Sequence, residues 1–165
     1  MIGKKMLDAL NEQVNAELYS AYLYLSMSAY FESVNLRGFA SWMRVQAQEE
    51  QTHGMKIYGH IIERGGRATM KAIAEPQSEW KSPRAAFEAV LAHERKVTKL
   101  IGALVDLAIK EKDHGANNFL QWFVKEQVEE EASAEEVLHK LEQVGESAPA
   151  LLMLDHQLGE RKASS

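Results

Sequence analysis

The sequence predicts an all-α protein: a four-helix bundle with one long crossover loop and a short fifth helix at the C-terminus. Three observations predict it. Of 165 residues only Pro76, Pro83 and Pro149 are proline, so nothing interrupts long helices in 1–75 or 84–148. Within both blocks the apolar residues recur at alternating steps of four and three, the spacing of one helical face. Between them lie about 17 residues, 66–82, a long connection for a compact domain.

The first helix reads from about Lys4 to Phe31 on the seam Leu10, Val14, Glu17, Ala21, Tyr24, Ser28, Phe31. Ser33-Val34-Asn35 is a short break. The second runs from about Leu36 to Arg64 on Phe39, Met43, Gln46, Glu50, His53, Ile57, and Gly65-Gly66 ends it. Ser82 is placed as N-cap with Pro83 at the first helical position of the third, which continues to about Lys112. Its seam is Phe87, Leu91, Glu94, Thr98, Ile101, Val105, Ala108. After a break at Asp113-His114-Gly115 the fourth runs to about Val144 on Leu120, Phe123, Gln127, Glu130, Ala134, Val137, Leu141. Gly145 stops it. Pro149 introduces a fifth helix built on Leu151, Leu152, Leu154 and Leu158. The short breaks make two antiparallel hairpins. A helix of about 28 residues is roughly 42 Å long, and 17 extended residues reach roughly 56–60 Å. The crossover can therefore span the bundle and start the third helix where the second began.

Length and composition bound the rest. Hydrophobic residues at 45% and charged residues at 26% suit one globular domain over 1–165: a bundle at about 4–144, a short helix at about 149–160 and a frayed tail at 161–165. A net charge of −5 gives no reason to expect nucleic acid or an anionic membrane as partner. No apolar run approaches the ~18 residues of a membrane span, and no apolar region follows Lys4-Lys5, so a cytoplasmic location is expected. The absence of cysteine leaves oxygen and nitrogen ligands for any metal.

Each seam is broken by polar residues near its middle: Glu17 and Tyr24, then Glu50 with His53, then Glu94, then Gln127 with Glu130. Glu50 and His53 are three apart and share a helical face. Counted from the hairpin turns, the first pair of helices places its polar residues level within about 5 Å, and the second pair within roughly 6 Å. One glutamate on a seam ordinarily snorkels to water, and one seam histidine is ordinarily a hydrogen-bonded core residue. Four interruptions at one depth are not unrelated accidents. Four buried carboxylates repel one another unless cations compensate them, and two divalent ions balance Glu17, Glu50, Glu94 and Glu130. Hard oxygen and imidazole ligands suit iron, manganese or zinc.

This set, with Asn-Glu-Gln-Val-Asn-Ala-Glu-Leu-Tyr-Ser around Glu17 and Asn-Phe-Leu-Gln-Trp-Phe-Val-Lys-Glu-Gln-Val-Glu-Glu-Glu around Glu130, resembles the prokaryotic non-haem ferritins over essentially the whole chain. The resemblance implies a ferritin-like fold and a ferroxidase centre. Glu17 and His53 would hold one iron, Glu94 and Glu130 the other, with Glu50 bridging and Tyr24 and Gln127 beside them. It implies a third iron position at Glu49, Glu126 and Glu129, sharing Glu130, where the bland alternative is a solvated acidic face. It also implies Fe2+ and dioxygen as substrates, a ferric mineral store and a homo-oligomeric shell of twenty-four subunits. A second apolar line, Leu18, Tyr22, Leu25 and Ala29, fits a subunit contact. Haem is not expected: bacterioferritins carry a second E-x-x-H where this chain has Gln127-x-x-Glu130, and Gln51 stands at their haem-ligating methionine. The acidic pair that lines the three-fold pores of animal ferritins falls at Asn117 and Leu120, so the iron route through the shell is left open. Two other functions compete. One is a di-iron or manganese–iron oxidase of an organic substrate, which needs a pocket that Tyr24 closes. The other is a scaffold whose polar layer only sets helix register.

Overall fold

The structure, a computed structural model, is described for residues 1–164. Its five helices in chain order are α1 (Lys4–Ser33), α2 (Arg37–Glu63), α3 (Pro83–Lys110), α4 (His114–Val144) and α5 (Ala148–Leu158). α1 packs along α2 and α3 along α4; α1 meets α3 between the hairpins, and α5 folds back onto α2 and α4. No helix is long and apolar enough to cross a membrane, among the described residues.

The hairpin turns are tight because one residue in each adopts a left-handed conformation, Asn35 at φ 61° and Lys112 at φ 54°. The second turn differs from expectation. α3 stops at Lys110, and His114 and Gly115 already belong to α4, because the Asp113 carboxylate accepts the Ala116 N–H at 2.9 Å and caps the helix there. Ser82 caps α3 as expected, accepting from the Ala85 N–H at 3.0 Å.

The crossover is laid down along α1 by polar side chains. Asn11 donates to the Arg67 carbonyl at 3.1 Å and accepts the Thr69 N–H at 2.9 Å. Asn15 reaches the Ala72 carbonyl at 3.1 Å, and Ser26 the Gln77 carbonyl at 2.7 Å. Extended chain has no internal partners for its backbone, so these side chains supply them. Trp80 anchors the far end against Tyr30, ring centroids 5.6 Å apart.

α5 is fixed by a close approach. A Cβ added at Gly38 would lie 1.6 Å from the Asp155 carbonyl oxygen, so only glycine lets the two backbones meet. The start of α2 has no side-chain cap of its own; the Asp155 carboxylate accepts the Phe39 N–H at 2.9 Å and provides one from α5. Past α5 the expected frayed tail, 161–165, has no helical structure over its described residues, 161–164. Arg161 and Ser164 are held against α2 through Glu49, while Ser165 lies outside the described residues.

The core is two clusters, not one. Phe31, Phe39, Met43, Phe87 and Leu141 belong to the cluster at the turn between α1 and α2, and Leu10, Ile57, Ile61, Ile101 and Leu120 to the cluster at the other end. Between them lies a polar layer.

Candidate metal centre

That layer is where the four seams break. Glu17, Glu50 and Glu94 are each 1% exposed, His53 3% and Glu130 5%, deeper than unpaired acids ordinarily sit. Two triads form. One ligand atom each from Glu17, Glu50 and His53 lie within 4.8 Å of one another, and so do atoms from Glu50, Glu94 and Glu130. Glu50 belongs to both, so two cation positions would share it. A third triad joins His53 and Glu130 to Glu126.

Surrounding donors hold these groups in place. Gln13 donates to Glu17 Oε1 at 3.0 Å. Gln46 donates to Glu50 Oε1 at 3.1 Å and to Glu130 Oε2 at 2.6 Å, tying α2 to α4. His53 Nδ1 lies 3.1 Å from Glu50 Oε2. Tyr24 donates to Glu94 Oε1, while Gln127 donates to Glu94 Oε2 at 3.1 Å, so both oxygens of Glu94 are oriented. Glu17 Oε2 is buried with no hydrogen-bond partner. An orphaned carboxylate oxygen inside a triad fits a cation, since burial without a partner is costly.

Electrostatics agree. Burial, then the facing Glu94 and Glu17, pushes the Glu50 carboxyl well above its ordinary value. Burial raises Glu94, and burial with Glu94 nearby carries Glu130 up to about 8. The Tyr24 phenol is raised by burial and by the carboxylates around it. Such a cluster stays ionised at neutral pH only beside cations.

The outer residues behave differently. Glu126 is half-buried, with an oxygen 3.6 Å from His53 Nε2; burial raises its carboxyl. Glu49 and Glu129 line the adjoining cavity of about 670 Å³ with Glu126 but are not part of its triad with His53 and Glu130. Glu49 pairs instead with Arg161 at 2.9 Å, and Glu129 is exposed. Leu120 is fully buried in the chain's own core, and Asn117 accepts from Gln121.

Some contributors lie outside the seam pattern. Gln13 falls beside the α1 seam yet is buried, because the layer is wide enough to hold a donor for each acid. His93, next to Glu94, shares a 2.7 Å hydrogen bond with Ser20 and meets the Tyr24 ring edge-on. Burial takes its pKa down to about 4, so it stays neutral. Thr98 lies on the α3 seam, and its spacing does not reveal its partners: its hydroxyl accepts from Gln127 Nε2 at 3.2 Å and donates to Glu131 Oε2 at 2.7 Å.

A ferritin-like domain model matches residues 7–144, the span of the four bundle helices. The chain belongs to the ferritin family. The bacterial non-heme ferritin of Bacteroides fragilis (strain 638R) is 46% identical over 161 residues, which cover 98% of this chain and all of that one. That of Staphylococcus saprophyticus is 42% identical, covering 98% of this chain and 96% of that one. Among solved structures, the open pore ferritin of the hyperthermophilic archaeon Archaeoglobus fulgidus superposes with a TM-score of 0.97 at 57% identity, over 98% of this chain and all of that one. A humanized archaeal ferritin gives 0.99 at 55% identity over the whole of both chains. Ferritin membership and the buried triads belong to the same stretch of chain, since residues 7–144 contain every member of both.

Proposed function

We propose that this ferritin binds two Fe2+ at the paired triads, oxidises them with dioxygen and stores the ferric product as mineral within a cytoplasmic shell of twenty-four copies. The observation that carries the reading is the pair of buried triads sharing Glu50. Each Fe2+ gives one electron, and dioxygen takes the two electrons with two protons to form hydrogen peroxide. Carboxylate ligands favour this direction because they neutralise the higher charge of Fe3+ better than that of Fe2+.

The residues have distinct tasks. Glu17 and His53 bind one ion, Glu94 and Glu130 the other, and Glu50 bridges. Tyr24 and Gln127 hold Glu94 in one orientation, and Gln46 does so for Glu130, which reduces the ordering the ligands undergo when iron arrives. Protons held by Glu50, Glu94 and Glu130 leave as iron binds. Glu126, Glu129 and Glu49 form a third position beside the pair, supported by the triad of Glu126 with His53 and Glu130. Unpartnered apolar surface supports the shell: Tyr22 and Leu25 on α1 are each 50% exposed, and Leu152 and Met153 on α5 more so.

Aerobic addition of Fe2+ to metal-free protein, followed by near-ultraviolet absorbance, tests the chemistry. A fast phase saturating at two Fe2+ per chain is the expected result. A rate no faster than iron autoxidation in buffer would refute it.

A further inference from the structure

Beyond α5 the chain returns to the rim of the metal layer. Arg161 lays its guanidinium over the Trp42 ring, 4.2 Å from the centroid, and donates to the Trp42 carbonyl at 3.4 Å. Its Nη2 donates to Gln46 Oε1 at 2.8 Å and to Glu49 Oε2 at 2.9 Å. Ser164 donates its backbone N–H at 3.1 Å and its hydroxyl at 2.9 Å to the other oxygen, Glu49 Oε1. Both oxygens of Glu49 are thus committed to the tail. The ion pair is largely shielded, with side chains 20% and 11% exposed, so it is not a surface pair dissolved by water. Arg161 also acts at one remove: the Gln46 amide it holds by the oxygen donates its N–H groups to Glu50 and Glu130.

We propose that Arg161 is a positioning residue for the third cation position: it holds Glu49 against the tail, and a divalent cation that takes Glu49 as ligand displaces the guanidinium and releases residues 161–164 from α2. The inference rests on the third position proposed above. Its physical basis is competition for one carboxylate. A cation coordinated by Glu49 stands within a few ångströms of the guanidinium, and two like charges so close repel. The monovalent partner is the one displaced, because Arg161 lies past α5 and outside any helix, whereas Glu49 is fixed within α2. Release of Arg161 also removes the acceptor-side hold on Gln46, so occupancy outside the pair reaches Glu130 inside it.

The test uses Zn2+, which binds oxygen and nitrogen ligands without redox chemistry, on the assembled metal-free protein. Calorimetric titration and anomalous diffraction from Zn2+-soaked crystals report the third position; amide hydrogen exchange at 161–164 reports the tail. In the parent, exchange at Ser164 is expected to rise as that position fills. Arg161→Gln is expected to tighten Zn2+ there by roughly tenfold, the scale of one shielded ion pair lost from the competing state. Glu49→Gln keeps the guanidinium and removes the pair; its tail is expected to exchange fast without metal and to ignore added Zn2+. Zn2+ bound at Glu49, Glu126 and Glu129 with unchanged tail protection, and with equal affinity in Arg161→Gln, overturns the role of Arg161 and leaves the third position standing. No Zn2+ at those glutamates in either protein overturns the third position and this inference together.

Discussion

At the scale of single residues, the centre is a set of acids whose cost of burial is offset only in company. Truncating a ligand therefore differs from truncating its support. Glu94→Ala and His53→Ala are each expected to slow the fast phase of iron oxidation by more than the roughly 10–100-fold that loss of a group orienting a ligand costs. Gln46→Ala, which leaves Glu130 and Glu50 without their shared donor, is expected to weaken metal binding by about 10–100-fold with the fold retained. Stopped-flow absorbance and Zn2+ calorimetry measure the two effects, and equal rates in parent and Glu94→Ala would remove Glu94 from the ligands. The raised carboxyls also set a pH dependence. Unfolded glutamates titrate near pH 4.3, whereas Glu130 in the fold titrates at about 8 and Glu50 and Glu94 are raised as well. Between those values the metal-free fold binds more protons than the unfolded chain, so this contribution is complete below the unfolded pKa and is lost as pH rises through about 8. The melting temperature of metal-free protein is expected to fall from about pH 5 to about pH 8, less steeply in Glu130→Gln. A slope unchanged by Glu130→Gln would refute that origin.

At the scale of elements, periodicity made the four long helices and their seams legible, because steps of four and three leave few other structures available. Helix ends were less legible where a cap comes from elsewhere. Asp113 reads as a turn residue although its carboxylate caps α4, and Asp155 caps α2 from more than a hundred residues away. No local pattern reveals a partner at such a distance. Gly38 is the same case: an ordinary helical glycine in sequence, but a contact surface for Asp155 in space. Gly38→Ala is expected to push α5 away and lower stability by about 1–3 kcal/mol, read as a drop in melting temperature. Wild-type stability would show that α5 does not need that approach. Asn11→Ala removes two hydrogen bonds from the crossover and is expected to cost about 1–3 kcal/mol, with faster amide exchange at Thr69.

At the scale of the whole molecule, a polar layer divides the core into two apolar clusters, and the centre is a break in the hydrophobic structure that holds the helices together. Filling it should stabilise the entire bundle. A divalent ion at about a hundred times its dissociation constant contributes roughly 2.7 kcal/mol per site and is expected to raise the melting temperature measurably at neutral pH. Size-exclusion chromatography addresses the shell: a particle many times the monomer mass is the expected result, and a monomer-sized one would refute it under those conditions.

Helical spacing was enough to turn the four seams toward the interior, because a helix of fixed pitch makes spacing equivalent to direction. The acids and histidine at four matching depths followed from that, as did the long crossover that returns α3 to the start of α2. Which atoms satisfy which became visible in three dimensions alone. Gln13 beside Glu17, Gln46 between Glu50 and Glu130, Asn11 under the crossover and Arg161 on Glu49 are long-range pairings or off-seam neighbours. Polar side chains choose partners by position in space, and a one-dimensional pattern fixes the face they occupy without fixing what stands opposite.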